Sequence, residues 1–284
     1  MHGRPDKVNV RRALVSRLQH TGAAVGADLQ LHSLVEATDD TAIILSERDE
    51  AREIQLSLLP AGTLEHAACE VAHRFSPFSE VGGDFADFFQ LSDGQIGIYV
   101  GDVVGKGLPA AMYGALVMGM LRGIHKTGQD TGAALTLLNE RLLQRPVAGR
   151  YAATLYAVFD PKSLQLSFAN AGLPYPLLVS ACECRPLSHG GLPSGLLPGS
   201  SYDAHCVQLA PGDAVLFATD GLHDLRDAQG RDFSWDRLQE IWEQCSSRSA
   251  KESLDFLFDE AARFSSNGGQ DDDVTAVVLK VAEH

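Results

Sequence analysis

The stretch Gly101-Asp102-Val103-Val104-Gly105-Lys106-Gly107 follows a strand-like run at residues 96–100. The apolar run from Ala110 to Leu121 that comes next is too long for a strand and is rich in the helix formers Ala, Met and Leu. The stretch therefore predicts a turn that joins a strand to a helix. Its glycines allow a close approach to an ion, and Asp102 offers a hard oxygen ligand. An ordinary turn without a ligand is an equal alternative.

Two phosphate-binding motifs do not match this stretch. A Walker A loop has four residues between its first Gly and the Gly-Lys pair, followed by Ser or Thr. Here only Asp102, Val103 and Val104 intervene, and Gly107 follows Lys106. The dinucleotide fingerprint G-x-G-x-x-G is also absent from the sequence.

The bulk composition indicates a globular protein with a sizeable core. The chain has 284 residues, of which 45% are hydrophobic and 21% charged, which fits one large domain or a domain with a short extension. Its net charge of −14, without a Lys/Arg-rich patch, argues against nucleic acid as a partner and is compatible with cation binding.

The cysteines and the apolar runs bear on the compartment. Five cysteines are scattered without a CxxC pair, which favours reduced thiols in the cytoplasm. Residues 1–14 lack the apolar core of a signal peptide, and no run of 18 apolar residues occurs. We therefore expect a cytoplasmic protein that needs no membrane.

The N-terminal part predicts a helix that ends before the main domain. Ile44, Ala51, Ile54 and Leu58 follow a three/four spacing, and Pro60-Ala61-Gly62 stops the helix. The helix is short for a coiled coil, so docking on its own domain and pairing in a homodimer are both open. The predicted division is a helical extension and linker helix over 1–62 and a catalytic domain over 63–284.

Short strand-like runs dominate from Cys69 onward. Strands are predicted at residues 70–74, 85–91, 95–100, 151–159, 164–169, 176–180, 214–218 and 274–281. Helices are predicted at residues 109–125, 132–144, 234–244 and 250–264. Regular βαβ alternation is absent, which disfavours a doubly wound parallel sheet. The pattern predicts packed antiparallel sheets with helices outside.

Four aspartates share one context, the end of a strand beside Gly or another turn residue. They are Asp84, Asp102, Asp220 and Asp272. Each taken singly is explained by a turn or a cap. If the strand ends converge, however, the carboxylates repel one another, and divalent cations relieve that repulsion. Ligation by oxygen alone favours Mg²⁺ or Mn²⁺.

The order of motifs resembles a known family. The segments GGDFADFF, GDVVGKGLPAAM, ATLYAVFD, NAGLPYPLL, GLPSGL, GDAVLFATDG and DDVTAVVL are similar to the PPM-type (type 2C) protein serine/threonine phosphatases, in the bacterial branch of sporulation and stress-sigma-factor regulators. The similarity runs from about Glu65 to Val281. Residues 50–60 also resemble the linker helix that joins regulatory modules to this phosphatase domain.

The resemblance implies an α+β fold, a four-layer α/β/β/α sandwich of two antiparallel sheets flanked by helices. It implies two Mn²⁺ or Mg²⁺ ions at one edge of the sandwich. Asp102 would bridge both ions, the Val103 carbonyl would complete one shell, and Asp84 would bind one ion. The other ion would be bound by Asp220 and by Asp272, which is assigned through the terminal Asp-Asp-Val-Thr motif.

The implied activity is hydrolysis of a phosphoserine or phosphothreonine monoester by water activated between the two cations. Asp84, Asp102, Asp220 and Asp272 would then be catalytic through the metals. The implied substrate is a phosphorylated regulatory protein such as an anti-sigma-factor antagonist. The alternative is a catalytically weak, phosphatase-like adaptor that binds a signalling partner, although all four predicted ligands are present. A Mg²⁺-dependent nucleotide cyclase is weaker, because the later motifs would then have no role.

Overall fold

The computed structural model describes residues 46–128, 130–265 and 270–283. The chain divides into two compact units, Met1–Glu50 and Ala51–His284. Residues 46–50, the described part of the first unit, are helical. Ile44, the first residue of the predicted N-terminal helix, lies outside the described residues, as does the segment considered as a signal peptide. The predicted domain boundary after residue 62 stays a prediction.

The described residues of the second unit form eleven strands in two sheets. The strands are β1 Leu64–His66, β2 Cys69–Ser76, β3 Phe85–Gln90, β4 Ile96–Val103, β5 Ala152–Asp160, β6 Gln165–Ala171, β7 Leu177–Ser180, β8 Glu183–Pro186, β9 His205–Gln208, β10 Ala214–Ala218 and β11 Val274–Val281. The six-stranded sheet has the order β1-β2-β11-β10-β7-β8, and the five-stranded sheet has the order β3-β4-β5-β6-β9.

The helices of the second unit begin with α1 at residues 51–58. The others are α2 Gly107–Ile124, α3 Thr131–Gln144, α4 Trp235–Glu243 and α5 Ala250–Ser265. Local sequence explains where two of them start. Asp130 accepts a hydrogen bond from the Ala133 N–H at 2.8 Å and caps α3. Ser249 and Glu252 form a reciprocal capping box ahead of α5, with bonds of 3.0 and 3.2 Å.

Every strand pairing in the two sheets is antiparallel. One apolar core lies between the sheets and takes residues such as Val100 and Phe217 from both of them. A second core joins α4 and α5 to the six-stranded sheet, and a third joins α2 and α3 to the five-stranded sheet. The order of layers is therefore α/β/β/α, which confirms the predicted α+β sandwich.

The main correction concerns the stretch around Asp102. Strand β4 continues through Val103, because Asp102 pairs with Ala153 and Val103 with Ala152 on β5. The predicted turn is therefore limited to the residues between Val103 and Gly107, where α2 begins. Three short strands, β1, β8 and β9, were not predicted.

Helix α2 is long and apolar enough to cross a membrane by length and composition alone, with a mean hydropathy of 1.2. Its buried residues include Val117 and Leu121, which lie in the core shared with α3 and the five-stranded sheet. Packing inside the domain therefore accounts for the hydropathy of this helix.

Candidate metal centre

The four predicted aspartates lie at the ends of two neighbouring strand pairs. Asp84 directly precedes β3, and Asp102 is the penultimate residue of β4, its antiparallel partner in the five-stranded sheet. Asp220 lies two residues after the end of β10, and Asp272 lies two residues before the start of β11. Strands β10 and β11 are antiparallel partners in the six-stranded sheet. Antiparallel pairing places the end of one strand beside the start of the next. The sandwich thus gathers residues from four motifs at one edge.

Electrostatic coupling shows that these carboxyl groups are neighbours. Burial, and after it the negative charge of Asp220, raises the pKa of Asp102 to about 7. Burial also raises the pKa of Asp84 well above its usual range, with a further contribution from the charge of Asp102. The pKa of Asp220 is raised by burial and then by Asp224 and Asp272. The four predicted ligands therefore share one electrostatic environment.

A hydroxyl group ties the two sheets together at this edge. Thr219, at the end of β10, is fully buried and donates a hydrogen bond of 2.7 Å to Asp84 Oδ2. The same hydroxyl oxygen accepts the Thr275 N–H of β11 at 3.0 Å. Thr219 thus holds the carboxyl group of one sheet from the end of the other. Thr219 directly precedes Asp220 in the sequence, whereas Asp84, which accepts its hydrogen bond, is 135 residues away.

Asp273 fixes the loop that leads to Asp84. Its carboxylate, which is 5% exposed, accepts the Phe78 N–H at 2.8 Å and the Gly83 N–H at 2.7 Å. A Cβ atom on Gly82 would lie 2.0 Å from Asp273 Oδ2, so only glycine leaves room for this carboxylate. Of the adjacent aspartates, Asp273 therefore positions the loop, while Asp272 remains half-exposed at the edge.

Helix α1 is anchored to the same loop. The Gln55 side chain donates to the Gly82 carbonyl at 2.7 Å and accepts the Gly82 N–H at 3.1 Å. At the end of the helix, Arg122 donates to the Leu58 carbonyl at 2.6 Å and forms an ion pair of 2.7 Å with Asp87. The helix therefore contacts the catalytic domain, as one of the two sequence alternatives predicts, two residues ahead of Asp84.

Lys106, in the turn between β4 and α2, contacts the acidic segment that precedes β11. Its Nζ lies 3.3 Å from Asp272 Oδ2 and donates to the Asp271 carbonyl. The ammonium group also lies 5.0 Å from the centre of the Phe78 ring. Lys106 thus contributes a positive charge at the rim of the carboxylate cluster.

The donor set fits hard divalent cations in its chemistry. It consists of oxygen atoms alone, and its buried members raise one another's pKa, a cost that bound cations remove. As the side chains stand, no group of three or more His, Cys, Asp or Glu in the described part of the chain is arranged to hold a metal ion. Binding would therefore need the side chains to turn toward the ion.

Comparison with known proteins decides the family. The sequence model of the family "Stage II sporulation protein E (SpoIIE)" matches residues 92–282, more than half of the chain. The chain belongs to the SpoIIE family. Among the relatives of this SpoIIE-family chain is the phosphoserine phosphatase RsbU of Bacillus subtilis, 26% identical over 243 residues, which cover 84% of this chain and 70% of RsbU.

Other relatives are longer than the SpoIIE-family chain described here. Protein IcfG of Synechocystis is 26% identical over 279 residues, which cover 88% of this chain but only 44% of IcfG. The crystal structure of the RsbU and RsbW domains of Rv1364c from Mycobacterium tuberculosis superposes with a TM-score of 0.68 at 28% identity, covering 76% of this chain and 60% of that one. The chain thus spans less than half of IcfG.

These findings confirm three predictions, namely the family branch, the sandwich fold and the enzyme class. The chain is a PPM-type phosphatase of the sporulation and stress-regulator branch, with the predicted sandwich fold. Its assignment to the phosphoprotein phosphatases is confirmed at the level of the family. The individual ligand assignments and the metals stay predictions.

Proposed function

We propose that this chain hydrolyses a phosphoserine or phosphothreonine monoester on a regulatory protein with two Mn²⁺ or Mg²⁺ ions. Asp84, Asp102, Asp220 and Asp272 would hold the ions, together with the Val103 carbonyl. The observation that carries the proposal is the convergence of these four aspartates, from distant parts of the sequence, at one edge of the sandwich. Family membership supports the reaction class.

Bound cations of this kind activate water for attack on phosphorus and offset the charge of the phosphoryl oxygens. The residues of the chain orient the site. Thr219 fixes the rotamer of Asp84 through its 2.7 Å hydrogen bond. Asp273 and Gln55 together hold the backbone of Gly82 and Gly83, which positions Asp84 at the start of β3. Lys106 places a positive charge beside Asp272, where an anionic phosphoryl group would approach.

The direct test is phosphate release from an aryl phosphate and from phosphorylated proteins, with Mn²⁺ and with EDTA. Activity should require the metal, and Asp102→Asn and Asp220→Asn should each lower the rate by two or more orders of magnitude. Asp259→Asn is a matched control, because Asp259 is exposed on α5. Full activity of the two site variants would show that the ligand assignment is wrong.

An adaptor without catalysis is the second candidate function. Such a protein would be expected to lack a preformed metal site. Among the described residues, no group of three or more His, Cys, Asp or Glu forms one. All four acidic positions are nevertheless present, and Asp84 is buried while Asp102 and Asp272 are half-buried, which favours the enzyme. Binding of a phosphoprotein without phosphate release, with Mn²⁺ and with Mg²⁺, would identify the adaptor.

We extend the proposal to the substrate that the resemblance implies, the phosphoserine of an anti-sigma-factor antagonist. The name of RsbU as a phosphoserine phosphatase supports serine as the phosphorylated residue. We also place the reaction in the cytoplasm, which the five free thiols support. Incubation with phosphorylated candidate antagonists from the same genome would identify the substrate by its loss of phosphate.

We further propose that α1 takes part in a homodimer. Helices α1 and α2 border an apolar cavity of about 230 Å³ whose lining includes Ile54, Leu108 and Met112. Ile54 is 63% exposed and Met112 is 67% exposed, which is unusual for large apolar side chains on facing helices. Light scattering should give twice the chain mass for the wild type, and Met112→Glu should shift the protein to monomer.

A further inference from the structure

A loop beside the candidate metal centre reverses the usual distribution of polar and apolar residues. Its sequence, residues 192–197, is Leu-Pro-Ser-Gly-Leu-Leu. Leu192, Leu196 and Leu197 are 49%, 38% and 49% exposed, whereas Ser194 is fully buried. A surface loop ordinarily turns its apolar side chains inward and its polar ones outward. We call residues 192–197 the apolar loop.

The backbone of the apolar loop is held at several points, so its leucines have little freedom to fold inward. Ser194 and Ala152 exchange two backbone hydrogen bonds of 2.8 and 2.9 Å. The fully buried Asn139 accepts the Gly195 N–H at 2.8 Å and donates to the Leu197 carbonyl at 3.1 Å. These hydrogen bonds order the loop before any partner binds. A partner therefore meets a preformed apolar surface, and little conformational entropy of the loop is lost on binding.

The position of the loop relative to the candidate metal centre is set by strand pairing. Ala152 pairs with Val103 on one side and with Ser194 on the other. Neighbouring strands are about 4.8 Å apart, so Ser194 lies about 10 Å from Val103. Strand β6 ends at Ala171, and Ser194 continues the sheet beyond that end.

A folded protein bound at the site would cover this loop. A stable protein–protein interface takes about 800 Å² from each partner, which corresponds to a circle of about 16 Å radius. That radius exceeds the distance from Val103 to the apolar loop. Tyr175 extends the same surface. It is 43% exposed, and its ring would lie 3.1 Å from a Cβ atom placed on Gly190, two residues before the apolar loop. Tyrosine and other large apolar groups are typical anchors at interfaces.

We propose that the apolar loop is the docking surface for the phosphoprotein substrate and binds an apolar patch beside its phosphorylated serine or threonine. This inference rests on the proposed function. The surface selects folded phosphoproteins over small phosphate esters, because an aryl phosphate reaches the carboxylate edge without touching the leucines.

The test compares two substrates on one pair of variants. Leu192→Asn/Leu197→Asn should raise the KM for a phosphorylated anti-sigma-factor antagonist about tenfold, the loss expected for removing two interface anchors. Its kinetics on p-nitrophenyl phosphate should equal those of the wild type, which also shows that the variant is folded. Leu56→Asn, which removes a leucine that is 46% exposed on α1, is the control and should match the wild type on both substrates.

An unchanged KM for the phosphoprotein in the double variant would overturn the docking proposal while leaving the proposed function intact. A wild-type dimer that dissociates in the double variant would assign the loop to a second copy of the chain, which also overturns it. A wild type active on p-nitrophenyl phosphate but on no phosphoprotein would refute the proposed substrate class and the docking surface together.

Discussion

Replacing Thr219 by valine tests how the two sheets hold the site together. Valine has the shape of threonine, so no cavity forms, but the hydroxyl that donates to Asp84 and accepts the Thr275 N–H is lost. A hydrogen bond contributes roughly 0.5–1.5 kcal/mol, or roughly 1.5–3 kcal/mol when one partner is charged, and a buried unpaired N–H costs roughly 1–3 kcal/mol. Because the two losses share one atom and do not add, we expect Thr219→Val to lower the free energy of unfolding by about 3 kcal/mol.

The same change should weaken metal binding, since loss of a residue that orients a metal ligand costs about 10–100-fold in metal affinity or activity. Urea denaturation followed by tryptophan fluorescence gives the stability, and the Mn²⁺ concentration for half-maximal phosphate release gives the metal effect. Thr219→Ser keeps the hydroxyl and should restore the metal requirement, and it should cost only about 1 kcal/mol of stability for the lost buried methyl group. A valine variant with wild-type stability and metal requirement would refute the role assigned to this hydroxyl.

Three further changes test neighbouring parts of the structure. Gln55→Met removes both bonds to Gly82 and should lower phosphate release severalfold, whereas Ser57→Ala, which loses only a bond within α1, should not. Asp273→Asn retains one acceptor oxygen for two N–H donors, of which that of Gly83 is buried, and should lower the free energy of unfolding by about 1–3 kcal/mol in urea denaturation. Equal stability would contradict the anchoring role of Asp273. Burial lowers the pKa of His73, so the folded state keeps this imidazole neutral while the unfolded state binds a proton below about pH 6.5. The contribution of neutral His73 to the free energy of unfolding is therefore full above about pH 6.5 and is lost as the pH falls through the lower pKa of the folded state. The melting temperature of His73→Phe should therefore fall less between pH 7 and pH 5 than that of the wild type. An equal fall would contradict this role of His73.

Much of the fold follows from local patterns. The strands at Ala214–Ala218 and Val274–Val281 agree with prediction at both ends, because each is a continuous apolar run bounded by turn residues. The hairpin between β7 and β8 was missed, since Ala181 and Cys182 adopt positive φ angles of 49° and 64° and neither is a typical residue for such a turn. The extent of β4 was missed because its last pairs depend on β5, some 50 residues later.

The candidate site was predictable only in its acidic members. Aspartates at strand ends beside glycines or other turn residues can be recognised in the sequence, and the resemblance assigns them a common role. The local sequence does not reveal the roles of Thr219, Asp273 and Gln55, because these roles depend on partners that the sandwich fold brings close. Asp273 contacts Gly83 across 190 residues of sequence, a separation over which local patterns hold no information. The distribution of exposed leucines in the apolar loop likewise emerges only from the fold.

The account depends most on the claim that the four aspartates bind two hard cations. Calorimetric titration of the metal-free protein with Mn²⁺ measures this directly, without a substrate. We expect two ions per chain for the wild type and loss of binding in Asp102→Asn, whose carboxylate is assigned to both ions. Absence of Mn²⁺ and Mg²⁺ binding by the wild type, or two ions bound with unchanged affinity by Asp102→Asn, would contradict the central claim.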